Sequence, residues 1–269
     1  MNQDVKISES ISEGESIRIN FIRHGLGDCI MFYPLFKKLQ RLFPKNTFSL
    51  YTSKGQEEFS EINSDHFDKE FNIEFYEWDS MFGIFKGMSK PEICAKYELG
   101  IPFDESDELS WKPKEILNLG VDIPKNSIGL AFQITSNPAW SLNEDLAEKI
   151  WSRVKYHGMT PIEVSFIHRF FNHNNQKFKF IDKSCRDLKA STQMAEHVIS
   201  QLSGFIGVCT GTFVMATCIL KEKPLFIRLH QSFVNYKKHD PVPELDLSNG
   251  EIDLNKLDEY IIKTKESNK

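Results

Sequence analysis

Two short stretches hold residue types suited to group-transfer chemistry. The first is Gly25-Leu26-Gly27-Asp28, which follows Arg23 and His24 at the end of an apolar run from Ile17 to Ile22. A carboxylate placed where a strand gives way to a helix lies on the rim where open α/β sheets bind ligands. There it suits a general base that takes a proton from an attacking hydroxyl. The same Asp28 equally suits a helix N-cap, holding an N–H that has no partner inside the helix. The second stretch is Thr210-Gly211-Thr212, after the run Phe205 to Val208 and before an apolar segment that includes Cys218. Free amides and two hydroxyls at a helix start favour an anion, typically a phosphate. The alternative is an ordinary Thr-capped helix. No Gly-Lys-Ser/Thr follows, so the stretch is not a P-loop.

Other polar residues fall at comparable places. Thr135, Ser136 and Asn137 directly follow an apolar run, where they either bond a phosphate or ribose or form a turn before Pro138. His168 and Arg169 come after the next run and suit a nucleobase or simple exposure to water. Arg228 closes the run from Pro224 to Leu229 and is a candidate cation for a diphosphate.

These residues need elements to position them. Ile17 to Ile22 reads as a buried strand, and Met31, Leu35, Leu39 and Leu42 recur at helical spacing after it. Gly25 and Gly27 suit a tight turn using positive φ. Pro34 predicts a kink after the first helical turn. Strands are expected at Thr47–Tyr51 and Phe71–Trp78. Short helices are expected at 81–85 and 91–97, and a turn-rich hinge at 122–126. A second alternation follows, with strands at 128–134, 161–167, 178–181, 205–208 and 224–229. Its helices are expected at 142–156, 191–202 (capped by Ser191), 211–220 and 254–263. Strand and helix in alternation imply crossovers and a mostly parallel sheet. Residues 1–16 are polar and read as a flexible arm.

Composition narrows the function. Hydrophobic residues at 40% and charged residues at 26% describe a globular protein, not a disordered one. A net charge of −5 argues against a chain whose main affinity is for nucleic-acid phosphates. Five cysteines without a C-x-x-C pair suggest neither a zinc site nor a disulfide framework, and reduced thiols in a cytoplasm fit better. No apolar run approaches the ~18 residues of a membrane span.

The pieces follow the order of a known family. Arg-His-Gly-Leu-Gly-Asp28, then Pro34 and Leu-Gln-Arg-Leu-Phe-Pro44, resembles the opening segment of the bacterial ADP-heptose:lipopolysaccharide heptosyltransferases. Ile128 to Trp140 is similar to the strand and loop that open their second domain. Gly207-Val-Cys-Thr-Gly211 with Met215-Ala216 resembles their Gly-x-Asp-Thr-Gly…His-x-Ala signature. Cys209 stands where that family has Asp, Val214 where it has His, and a lysine usual in the 135–140 loop is absent.

The resemblance implies a GT-B fold, with two Rossmann-like α/β domains facing across a cleft. Residues 17–124 would form the acceptor side and 125–269 the nucleotide-sugar side. It implies inverting, metal-independent transfer of a sugar from a nucleotide-diphosphate sugar to a glycan or lipid-linked glycan hydroxyl, as in lipopolysaccharide biosynthesis. The nucleotide-sugar is a co-substrate, and no cofactor or metal is expected. Asp28 would be the base, with Arg23, His24, Gly25 and Gly27 at the acceptor. Thr135, Ser136, His168, Arg169, Thr210, Gly211, Thr212 and Arg228 would hold the donor. A peripheral contact with a membrane fits such an acceptor. The alternatives are a non-catalytic nucleotide-binding protein of the same fold, a transferase acting on modified DNA bases, and a sugar-nucleotide epimerase.

Overall fold

The computed structural model describes residues 6–22, 25–53, 56–73, 88–107, 110–132, 142–164, 188–208, 210–221, 224–229, 243–247 and 251–267. The expected elements at 81–85 and 178–181 lie outside them. The chain forms two compact units, one running to Trp111 and the next beginning at Lys112.

The first unit holds a parallel sheet of β1 (Ser16–Phe21), β2 (Thr47–Thr52) and β3 (Lys69–Asn72) in the order β2-β1-β3. β1 is the central strand; Ile17, Ile19 and Phe21, which share one face, are all fully buried, whereas Ser16 and Arg18 on the other face are half-buried. Helix α2 (Leu26–Leu42) returns across the sheet and buries Ile30, Phe32, Leu35, Phe36 and Leu39. Phe32 stacks on Phe21 with ring centroids 4.2 Å apart. The helix runs on through Pro34, whose missing N–H costs it one internal hydrogen bond without ending it.

The described part of the expected flexible arm, residues 6–16, is tied down. Helix α1 (Ile7–Ser10) buries Ile7, and Ser8 Oγ donates to the carbonyl of Gly100 at 2.8 Å. Gly100 ends a helical segment made of α3 (Lys90–Ile93) and a π turn, Cys94–Leu99. At φ 67° it lies in the left-handed region, and a Cβ there would stand 2.2 Å from Ser8 Oγ.

The second unit holds β4 (Ser127–Ala131), β5 (Thr160–Glu163), β6 (Gly204–Gly207), β7 (Leu225–Arg228) and β8 (Glu244–Asp246), all parallel, in the order β5-β4-β6-β7-β8. Helices α4 (Glu144–Tyr156), α5 (Leu188–Ser200), α6 (Gly211–Ile219) and α7 (Leu254–Glu266) accompany it. Ile128, Leu130, Ile150, Val154, Ile206, Leu257 and Ile261 share one core. Helix α4 is capped by Asn143, whose side chain accepts from Leu146 N–H, and α5 begins three residues before the expected Ser191 cap. Among the described residues, no helix is long and apolar enough to cross a membrane.

The segment that the sequence assigns to the end of the first domain is bonded into the second unit. Lys112 Nζ donates to the carbonyl of Cys218 at 2.8 Å, the Val121 carbonyl accepts from Gln201 at 2.9 Å, and Ile123 N–H donates to Gln201 at 3.1 Å. Trp111, one residue earlier, packs on Phe59 of the first unit with centroids 5.8 Å apart. Ownership of the chain therefore changes between two neighbouring residues, not at the turn-rich 122–126.

Helix α7 completes the central strand of the second sheet. β7 pairs with β6 at Ile206 and Gly207. One residue earlier a side chain takes over, as the Tyr260 hydroxyl accepts from Phe205 N–H at 3.2 Å and donates to Phe205 C=O at 3.0 Å. A Cβ on Gly204 would stand 2.7 Å from Thr264 and 3.0 Å from the Tyr260 hydroxyl, so only glycine admits the helix this closely. Removing that hydroxyl leaves a buried N–H unbonded. Tyr260→Phe is therefore expected to lower stability by about 1–3 kcal/mol in urea unfolding; an unchanged midpoint would refute this role.

Glu196 on α5 is buried, and burial pushes its carboxyl up to about 7 from 4.5. Between those values the native state keeps a proton that the unfolded chain has lost, so this group's contribution to stability falls as pH rises from about 4.5 through about 7. Glu196→Gln removes that dependence. Compared with the unsubstituted protein, it is expected to match below about pH 4 and to gain about 1–2 kcal/mol at pH 8 after allowance for partial solvent screening. Urea midpoints at the two pH values measure the difference.

Candidate active site

In the first unit the chain leaves β1 at its C-terminal edge and enters α2 within a few residues. Gly25 is the N-cap, with φ −77° and ψ 164°. Neither Gly25 nor Gly27 uses positive φ, because Gly25 is extended and Gly27 already lies in the helix. Asp28 is therefore not the N-cap but the third helical residue. From there its Oδ2 reaches back to accept from Gly25 N–H at 3.2 Å. Its Oδ1 is 3.3 Å from Nζ of Lys90, at the start of α3. The Asp28 side chain keeps 23% of its surface exposed, so the carboxylate is oriented by two donors yet open to solvent. Arg23 and His24 lie outside the described residues.

Two other titratable groups of the first unit are unsuited to chemistry. Cys29 is buried and its Sγ donates to Gln56 Oε1 at 2.9 Å; burial pushes its thiol well up, with Asp28 and Glu58 adding to the shift. It stays a thiol and a poor nucleophile. Glu61 accepts from Lys37 at 2.7 Å and from the Tyr33 hydroxyl, and these bonds outweigh partial burial to hold its carboxyl below the usual value.

In the second unit Thr210 is the N-cap of α6, and its Oγ1 accepts from Phe213 N–H at 3.1 Å. The Thr212 hydroxyl lies 3.0 Å from Thr210 Oγ1 and donates to the carbonyl of Val164 at 3.3 Å. Both hydroxyls thus serve the fold, and Thr212 is only 2% exposed. The groups left for an anion are the amide N–H of Gly211 and of Thr212, which have no partner among the described residues. Arg228 closes β7, but its Nη2 is taken by Glu244 at 2.6 Å, and its buried Nε has no hydrogen bond among the described residues. A carboxylate on the adjacent strand therefore offsets the charge expected to meet a diphosphate. Val214, where the resemblance expects a histidine, is buried in the core. Thr135, Ser136, His168, Arg169 and Cys209 lie outside the described residues. Among the described residues no cluster of three or more His, Cys, Asp or Glu is placed to hold a metal ion.

Sequence reasoning reached Asp28, Thr210, Gly211 and Thr212 but missed Lys90 and Glu244. The only local sign of Lys90 is its place between Ser89 and Pro91, a helix-start pattern. Nothing in the sequence ties it to a residue 62 positions earlier.

No family model matches the chain, and no curated protein matches it in sequence. Solved glycosyltransferase structures do match. The iron-containing dodecameric glycosyltransferase TibC from enterotoxigenic E. coli aligns at a TM-score of 0.56 and 16% identity, over 87% of this chain and 63% of TibC. TibC is also known in complex with ADP-D-β-D-heptose. A family 9 glycosyl transferase from Veillonella parvula aligns at 0.54 and 11% identity, over 96% of this chain and 98% of that one. ADP-heptose lipopolysaccharide heptosyltransferase II of E. coli aligns at 0.51 and 10% identity, over 93% and 99%. The chain thus spans less than two thirds of TibC but nearly all of the other two. At such identities the likeness is one of fold, and the fold of this chain is the parallel α/β fold of heptosyltransferase-like glycosyltransferases.

Proposed function

We propose that this protein is an inverting, metal-independent glycosyltransferase that moves a sugar from a nucleotide-diphosphate sugar to a hydroxyl of a glycan acceptor. The observation that carries the reading is Asp28, a solvent-open carboxylate held by two donors at the C-terminal edge of β1. The shared fold supports it, and the ADP-heptose bound by TibC makes an ADP-sugar the first donor to test. In this reading the first unit receives the acceptor, with Arg23, His24, Gly25 and Gly27 around it. The second unit binds the donor through Thr210, Gly211 and Thr212, aided by Thr135, Ser136, His168 and Arg169. The reaction belongs to the cytoplasm, on a glycan or lipid-linked glycan.

The chemistry is a single displacement. An acceptor hydroxyl has a pKa far above neutrality, so its proton passes to Asp28 as its oxygen attacks the anomeric carbon. The bond from that carbon to the diphosphate breaks on the opposite face, and its electron pair leaves with the nucleoside diphosphate. Configuration at the carbon inverts. Charge grows on the diphosphate, and the Gly211 and Thr212 amides at the positive end of the α6 dipole offset part of it. Arg228, already paired with Glu244, adds less than a free guanidinium would.

One observation favours a second reading, a nucleotide-binding protein without turnover. Among the described residues, the second unit buries Val214 and pairs Arg228 with Glu244, where the resemblance would have a histidine and a free cation at a leaving diphosphate. A single assay separates the two. With ADP-D-β-D-heptose and other nucleotide sugars as donors, and a truncated lipopolysaccharide as acceptor, the transferase turns over, whereas the binder only melts at higher temperature.

Asp28→Asn is expected to lower transfer by about 10²–10⁴-fold, the usual worth of a general base, while keeping the melting shift that the donor produces. Turnover equal to that of the unsubstituted protein would remove Asp28 from the mechanism. Dialysis against a chelator is expected to leave initial rates unchanged; a loss restored by a divalent ion would replace the metal-independent reading.

A further inference from the structure

We infer that Lys90 is a positioning residue for this reaction, fixing the orientation in which Asp28 meets the acceptor hydroxyl; this rests on the transferase reading above. A carboxylate offers about four lone-pair directions. Gly25 N–H takes one on Oδ2 at 3.2 Å, and the Lys90 ammonium faces one on Oδ1 at 3.3 Å. One donor alone leaves a carboxylate free to pivot about that bond. Two donors, one on each oxygen and from separate elements, fix its plane and aim the remaining lone pairs.

The two donors are themselves held. Gly25 is set by the exit from β1 and the start of α2. Lys90 lies in the first turn of α3, where Ser89 caps the helix by accepting from Glu92 N–H at 3.3 Å and Pro91 fixes the backbone. Ser89 is fully buried, and Ile93, Cys94 and Ala95 are buried behind it. Lys90 therefore reaches Asp28 from a packed anchor and not from a loop. Its side chain is 26% exposed, so the ammonium sits at the edge of the site and not deep beneath it. The proton of the acceptor hydroxyl still goes to Asp28; Lys90 takes no part in bond making or breaking. It acts through geometry, and misplacement of a reacting group by about 1 Å is enough to cost about a hundredfold in rate.

Initial rates of the full chain, Lys90→Met, Lys90→Arg and Asp28→Asn test this, with ADP-D-β-D-heptose as donor and truncated lipopolysaccharide as acceptor. Lys90→Met is expected to lower kcat about ten- to a hundredfold, with the KM for acceptor and the donor-induced melting shift nearly unchanged. Lys90→Arg, which keeps a cation on a long stem, is expected to recover most of the rate. If Lys90→Met melts several degrees lower, Lys90→Gln carries the same test. A wild-type kcat in both neutral variants overturns the inference. So does a raised acceptor KM at unchanged kcat, which would make Lys90 an acceptor contact, and so does a failure of Lys90→Arg to recover rate. The two levels fail differently. Absence of transfer by the unsubstituted protein defeats the transferase reading, whereas an active protein that needs Asp28 but not Lys90 defeats only this inference.

Discussion

The carboxylate of Asp28 serves the backbone and faces the solvent at once. A helix start leaves N–H groups that no residue inside the helix can satisfy, and an acid at the third position answers one of them. The helix that follows β1 in the chain begins at the C-terminal edge of this central strand. The demand for a cap and the demand for an accessible acid are thus met at one place. Ile17, Ile19 and Phe21 beneath, and Phe32 stacked on Phe21, hold both elements. A group placed on a strand and a helix is held more tightly than one on a free loop.

The second unit uses the same strand-to-helix junction in a different chemical form. There the side chains at the junction are consumed: Thr210 caps α6 and Thr212 ties it back to the end of β5. What faces outward is main chain. An acid suits a site that must accept a proton, and bare amides suit one that must cradle negative charge. The pairing of Arg228 with Glu244 shows how a residue with the right formal charge is spent on the adjacent strand. Its usefulness to a ligand depends on a neighbour that lies 16 residues away in the chain.

The sequence announced much of this and was silent on the rest, for identifiable reasons. Ile17 to Leu42 was legible because a dense apolar strand and a helical repeat meet at polar turn residues. The parallel character of both sheets followed from the rhythm of strand and helix. The exact role of Asp28 did not, because a cap at the first flanking position and an acid three residues in leave nearly the same pattern. Three-residue β8 was missed since so short a strand shows no alternation. Pro34 suggested a kink, and the helix runs on through it, with packing of Leu35, Phe36 and Leu39 offsetting one lost hydrogen bond. Lys90 and Glu244 were invisible because their meaning lies in pairings across distance. The change of unit between Trp111 and Lys112 was likewise hidden, since it depends on what each side chain touches and not on loop composition.

The bond between Tyr260 and Phe205 bears on how the second sheet is made during synthesis. The strand that leads into the Thr210 turn is completed by a hydroxyl 55 residues downstream. On the ribosome that strand emerges long before the helix that finishes it. Until Tyr260 clears the exit tunnel, the Phe205 N–H and C=O of a nascent chain lack the partner that completes this strand.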